Sequence, residues 1–310
     1  MKINEFINTE GNFVTTALVR SISEKEDRNG NPYIMVEISD GESIITARMF
    51  NESEETCGFA VADVLKMTIS ARLYNGTMSF VINYYEEMGE NEYNIQDYIV
   101  SAPEKYSDMI SKLKSYIDKI QNPEIKTLVQ HIYDDNSEKM SFWSAARAMH
   151  HNYYGGLLYH SLCVTKNAYA IAQNYDFVNR DLVIAGALLH DIGKTRELNT
   201  DNLGNANYSV DGELFGHLFI GAQIVKDECE KIGINEETAR QLLHIIVSHH
   251  DNLEWGAIKR PSTAEARIVA CADMCDAQLE MIRQSNMKTD VGECSSSYVD
   301  GAKIYHAPQI

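Results

Sequence analysis

Between Gly11 and about Tyr85, apolar and polar residues alternate in short runs: "FVTTALVRSIS", "YIMVEISD", "SIITARMF", "VLKMTISARLY" and "MSFVINYYEEM", rich in Val, Ile, Thr and Tyr. A period near two places successive side chains on opposite faces of a strand. The clusters "DRNGNP", "SDGE" and "YNGT" between the runs supply the Gly, Asn, Asp and Pro that tight turns require. Five short strands joined by hairpin turns predict a small all-β barrel of the OB type over residues 1–92, a fold whose open face commonly binds oligonucleotides.

The pattern then changes. Residues 93–107, polar and containing Pro103, read as a linker. Beyond them the apolar positions recur at helical spacing and predict helices from Tyr106 to Ile120, Glu124 to Tyr133, Glu138 to Met149, Leu157 to Asn174, Arg180 to His190, Glu213 to Ile232, Glu236 to His249 and Ala264 to Ser285. Asn179, Ser262 and Thr263 are start signals, "KIG" is a stop, and Pro123 stands where a first helical turn tolerates a missing N–H. The expected architecture is multidomain: an OB-like barrel, then an all-α domain over residues 108–286, then a polar tail, 287–310, whose pattern selects neither packing nor fraying.

Composition narrows the function classes. At 310 residues and 44% hydrophobic content the chain can build more than one core. A formal charge of −18, from 27 basic and 45 acidic residues, argues against coating nucleic acid by bulk electrostatics. It leaves room for an enzyme that holds phosphate through a local basic groove or bound cations. The N-terminus "MKINEFINTEGNF" lacks the apolar core of a signal peptide and no run is long enough to span a bilayer, so a cytoplasmic location is expected. The six cysteines form no CxxC pair and read as reduced thiols, with Cys271 and Cys275, one helical turn apart, as small core residues.

The candidate chemistry lies in the helical half. His160 stands in "GGLLYHSL", His190 and Asp191 in "LLHDIGK", His217 in "GELFGHLFIGA", His249 and His250 in "IIVSHHD", and Asp273 in "CADMCDA". Each falls in or at the end of an apolar segment, where an uncompensated polar group costs a few kcal/mol. Any one of them alone is an ordinary core or boundary residue; together, on consecutive helices, they point to a shared cation. Imidazole and carboxylate suit Zn, Mn, Fe or Co, and the lack of cysteine argues for open, water-bearing coordination over a closed structural zinc site. Five histidines and two aspartates are too many for one ion and suit two.

The ordered set, with the flanking words "HHNYYGGLLYHSL", "AGALLHDIGKTREL", "GELFGHLFIG", "SHHDNLEWG", "RPSTAEA" and "ADMCDA" behind an OB-like barrel, resembles the YhaM family of 3′-5′ exoribonucleases within the HD-domain phosphohydrolases. The resemblance covers nearly the whole chain. A departure is Asp251, where the family pattern favours glycine. The resemblance implies one ion held by His160, His190, Asp191 and Asp273, and another by His217, His249 and His250, with Asp191 bridging. It also implies two divalent transition-metal ions, with Mn favoured among Mn, Fe, Co and Zn, and single-stranded RNA as substrate, DNA being a second candidate. The chemistry agrees with that division: a carboxylate has two oxygens and bridges, whereas an imidazole offers a metal one lone pair. A hydroxide activated between two ions is the expected nucleophile.

Other residues have weaker claims. Lys194, three residues after Asp191, is a candidate for a phosphate oxygen or a solvated helix end; Glu213 and Asp276 are candidates for orienting a ligand or for a solvated face. His150 and His151 are candidates for substrate phosphate or for a structural turn. Trp143 and Trp255 read as packing anchors, with Trp255 also placed to border the pocket. In the barrel, Tyr33, Phe50, Tyr74 and Phe80 are candidates for base stacking, assisted by Arg48 and Arg72, while about half of such rings are expected in the barrel core. Two rival functions remain: hydrolysis of a small nucleotide, such as a cyclic dinucleotide or nucleoside polyphosphate, and nucleic-acid binding with an inert metal site. A homo-oligomer is compatible with the sequence.

Overall fold

Five strands, β1 (Gly11–Glu26), β2 (Pro32–Ser39), β3 (Ile44–Phe50), β4 (Val64–Tyr74) and β5 (Thr77–Glu87), close into a barrel in the order β1-β2-β3-β5-β4. The computed structural model describes residues 1–89, 91–146, 152–287 and 289–308. β1 is long enough to serve two neighbours: Gly11 to Leu18 pair with β4, residues from Leu18 onward pair with β2, and the register shifts between Val19 and Ser21 as the strand changes partners. The parallel pairing of β3 with β5 completes the ring, so no strand edge is left to template aggregation. Alternation sends Val19, Ile34, Val36, Ile38, Leu65, Met67, Ile69 and Ile82 inward. This is the expected OB-like barrel.

The helical unit spans residues 102–282. Its elements are α1 (Tyr106–Ile117), α2 (Pro123–Asp135), α3 (Ser137–Met140), α4 (Gly156–Ala172), α5 (Arg180–Leu189), α6 (Lys194–Glu197), a short hairpin of β6 (Leu198–Thr200) and β7 (Ala206–Tyr208), then α7 (Val210–Ile232), α8 (Glu236–Ser248) and α9 (Ala264–Asn286), which continues past the unit. Asn122, Asn179 and Asn235 cap α2, α5 and α8 by accepting from backbone N–H groups of the first turn. α5 is buried on every side from Leu182 to Leu189, which makes it the axis of the unit and sets His190 and Asp191 at its C-terminal end, deep in the interior.

Three expectations need correction. The helix expected from Glu138 to Met149 is only the single turn α3 in its described part: the carbonyls of Phe142 and Trp143 accept from Gly155 N and Leu157 N, and these nonlocal bonds replace the helical ones. Residues 147–151, including His150 and His151, lie outside the described residues. Cys271 is half-buried and Cys275 exposed, so that pair does not fill a core. The helical unit also contains the β6-β7 hairpin, which the periodicity did not predict.

Residues 1–101 and 283–310 form the other compact unit. Within it the tail folds as a hairpin of β8 (Cys294–Val299) and β9 (Ala302–Tyr305), and His306 Nδ1 bonds Thr289 O at 2.6 Å. Among the described residues, no helix is long and apolar enough to cross a membrane.

Candidate metal centre

The glycine of "LLHDIGK" has a packing reason. A Cβ on Gly193 would run into the backbone carbonyl of His217 and lie 2.6 Å from Gly221 N. The absence of that Cβ lets the turn after α5 meet α7 backbone to backbone, bringing His190 and Asp191 against His217. α4 contributes His160, the end of α8 contributes His249 and His250, and α9 contributes Asp273.

Four of the imidazoles lie against the two oxygens of Asp191. Its Oδ2 lies 3.4 Å from Nε2 of His160 and of His190, and its Oδ1 lies 3.5 Å from His217 Nε2 and 3.6 Å from His249 Nε2. Asp273 Oδ1 joins the first group, 3.2 Å from His160 Nε2 and 3.7 Å from His190 Nε2. His250 joins the second, 3.2 Å from His217 nitrogen to nitrogen. The donor atoms of His160, His190 and Asp191 lie within 4.8 Å of one another, as do those of His217, His249 and His250.

The histidine ring nitrogens reveal what the arrangement can hold. In all five histidines Nδ1 is engaged: His160 with Asp276 Oδ2 at 2.7 Å, His190 with Ala187 O at 2.7 Å, His217 with Glu197 Oε1 at 2.9 Å, His249 with Ile246 O at 2.8 Å and His250 with Trp255 O at 2.9 Å. An oxygen acceptor at Nδ1 assigns the proton there and leaves a lone pair on Nε2. The His160 and His190 Nε2 atoms face each other at 3.2 Å. Two lone pairs at that distance repel unless a proton or a metal ion lies between them. Asp191 Oδ1 and His249 Nε2 are buried without a hydrogen-bond partner in the protein, a costly state that a metal ion relieves. With metal–nitrogen bonds of about 2.0–2.1 Å, donors on one ion lie about 3–3.5 Å apart, and the observed separations agree. The residues present fit a divalent-metal centre.

The electrostatics favour positive charge. Burial alone would depress His160; the carboxylates of Asp273 and Asp276 outweigh it and raise its pKa to about 9, so without a metal its Nε2 also holds a proton, which a bound ion would displace. In His249 burial wins and lowers the pKa to about 3, so that ring is a neutral donor. Burial would raise Asp191, but Lys194 and His190 hold its carboxyl well below the usual range. Lys194 sits in the centre, its Nζ 2.7 Å from Asp191 Oδ2. Burial would depress it; the Asp191 charge overrides that and raises it.

Asp276, a candidate from sequence, does orient a ring; Glu213 is exposed. Glu197 was missed, because it is twenty residues from His217 and no helical period links the two. Trp143 is buried, with Nε1 bonded to Lys194 O at 2.9 Å. Trp255 is 52% exposed and so is no packing anchor; its carbonyl holds His250, which sets it beside the centre. Asp251 stands at φ 60 with its carboxylate 2.6 Å from Arg267, so the departure from glycine puts an ion pair on a left-handed residue. In the barrel, Phe50 and Tyr74 are 50% and 65% exposed and Tyr33 is half-buried against Phe50. Arg48 bonds Ser79 Oγ and Arg72 bonds Gly11 O. Phe80 is corrected: at 7% exposure it packs edge-on to Phe6 inside the barrel and offers no face to a base.

Fold and centre together define a divalent-metal-dependent HD-domain hydrolase carrying an OB-like barrel, and the model of the HD domain matches residues 157–278. The 3′-5′ exoribonuclease YhaM of Geobacillus sp. (strain WCH70) is 31% identical over 278 residues, 89% of this chain and 85% of that protein. The chain belongs to the YhaM exoribonuclease family. A solved structure of a replication protein A heterotrimer bound to ssDNA matches 26% of this chain and 61% of that one, at 16% identity and a TM-score of 0.22, too slight a likeness to bear on function.

Proposed function

We propose that this chain is a metal-dependent 3′-5′ exoribonuclease that removes nucleotides from the 3′ end of single-stranded RNA, and that it acts in the cytoplasm. The observation that carries the reading is the approach of four imidazole Nε2 atoms to the two oxygens of Asp191, with Asp273 beside His160 and His250 beside His217, joined to the exoribonuclease likeness of nearly the whole chain.

His160, His190, Asp191 and Asp273 would hold one ion and His217, His249 and His250 another, with one oxygen of Asp191 turned to each. When bound, the pair would lower the pKa of water, polarise the phosphoryl group and offset charge on the departing oxygen. The chain's own part is preorganisation. The Nδ1 contacts lock the rings before metal arrives, and the buried setting of His190, Asp191 and His249 excludes bulk water. Lys194, held at Asp191, is assigned to a non-bridging phosphate oxygen. Manganese is our preferred metal on family grounds.

The barrel, residues 1–92, is assigned to hold the strand, with Tyr33, Phe50 and Tyr74 as stacking surfaces and Arg48 and Arg72 beside the backbone. It also weighs against a small nucleotide as substrate, which needs no such platform. The test uses single-stranded RNA labelled at either end, with protein stripped by chelator and then reloaded. Release of single nucleotides from the 3′ label first, lost on stripping and restored by a divalent metal, is expected. Activity indifferent to chelator, or release of the 5′ label first, would refute the assignment.

A further inference from the structure

α7 is broken where it enters the metal centre. Gly216 stands at φ 70, ψ 160 inside it, a backbone region essentially confined to glycine. At the break the amide of His217 turns to Glu197: Glu197 Oε1 accepts from His217 N at 2.9 Å and lies 2.9 Å from His217 Nδ1. One carboxylate oxygen thus holds both the main chain and the ring of the same residue. Glu197 is itself fixed. Its amide donates to Gly193 O at 2.9 Å and its carbonyl accepts from Ser209 N at 2.8 Å. The backbone of Gly212 packs so closely on that carbonyl that a Cβ there would collide with it.

We propose that Glu197 is the positioning residue that assembles the His217, His249 and His250 half of the centre, and that this half depends on it more than the other half depends on any single residue outside the ligands. A carboxylate on Nδ1–H fixes the tautomer with the lone pair on Nε2 and raises that nitrogen's basicity toward a metal. The bond to His217 N adds a second effect, since it satisfies the amide that the break at Gly216 takes out of the helix. The other half has a carboxylate contact too, Asp276 on His160, but His160 lies within α4 and keeps its place in the helix without it. His190, His249 and His250 are held by backbone carbonyls that no substitution removes. Losing Glu197 therefore loosens His217 in backbone and ring together, while the His160 half keeps its geometry.

This rests on the reading that the centre binds divalent metal, and the test separates the two. Full-length wild-type, Glu197→Gln and Glu197→Ala proteins are stripped and titrated with Mn2+ by calorimetry, with bound metal counted by elemental analysis and folding followed by circular dichroism. Glu197→Gln keeps the shape and an acceptor oxygen while removing the charge; it should leave one site at wild-type affinity and weaken the other by about 10- to 100-fold. Glu197→Ala should hold one ion per folded chain. Gly216→Ala, made away from the carboxylate, should weaken the same single site. Wild-type protein that binds no divalent metal would overturn the functional reading and this inference with it. Two wild-type-affinity sites in folded Glu197→Gln and Glu197→Ala, even with a lower melting temperature, would overturn this inference alone and leave Glu197 a structural residue.

Discussion

Replacing Asp191 gives a prediction whose size follows from geometry. Its Oδ2 serves His160, His190 and Lys194, and its Oδ1 serves His217 and His249. Asp191→Ala removes a donor from both halves. Asp191→Asn keeps the shape but puts an amide NH2, which does not bind metal, toward one half or the other, so at most one ion should remain. If the ions supply several kcal/mol of transition-state stabilisation, a loss of about 4 kcal/mol corresponds to about a thousandfold in turnover. Both variants should fall at least that far, whereas His217→Ala should retain one ion per chain. Stability responds separately, because Lys194 is buried and loses its partner at 2.7 Å. Breaking a buried pair costs about 3–5 kcal/mol, or about 6–20 °C in melting temperature for a domain of this size. Adding Lys194→Met to Asp191→Asn should recover most of that drop while activity stays lost. Elemental analysis, single-turnover cleavage of 3′-labelled RNA and thermal melting read the three effects. Asp191→Ala with two bound ions, or with turnover within tenfold of wild type, would refute the bridging role.

Three further outcomes follow from other parts of the chain. Gly193→Ala should destabilise the helical unit by about 1–3 kcal/mol or more by forcing apart the turn and α7, and a melting temperature equal to wild type would count against the backbone contact with His217. His244 Nε2 accepts from Ser262 N at 2.8 Å, and burial lowers the pKa of the ring; the neutral ring's contribution should be complete above the ordinary value of about 6.5 and fade as pH falls through the lowered one. The gap in melting temperature between wild type and His244→Ala should narrow toward acid, and a gap constant from pH 8 to 5 would refute it. Phe50→Ala or Tyr74→Ala should raise KM on long RNA by about 5- to 150-fold, from stacking of about 1–3 kcal/mol per base, with little change on dinucleotides; Phe80→Ala should instead cost about 3–5 kcal/mol of stability, and the same KM shift from all three would undo the distinction.

The parts of this protein legible in its sequence are those governed by local periodicity or a local run. Period-two alternation marked the barrel strands because one face of each must be buried. The candidate metal ligands stood out because polar residues end segments as apolar as "AGALL", which leads directly into His190 and Asp191. Asp276 was visible as a candidate because it lies one turn from Asp273 on the same helix. Glu197 was not, although its bond to His217 is of ordinary length. Its place is set by a single-turn helix, a three-residue strand and the glycine contacts at 193 and 212, none of which leaves a period in the sequence. The trace that could have pointed to it lies in "DGELFGHLF", where a glycine immediately precedes a candidate ligand in an otherwise helical run. A glycine there costs about 1 kcal/mol against alanine if the helix is continuous, and the cost disappears if the chain must break so that the next amide can leave the helix. Such a break requires an acceptor from elsewhere in the chain, and next to a metal-binding imidazole a carboxylate satisfies both the amide and the ring.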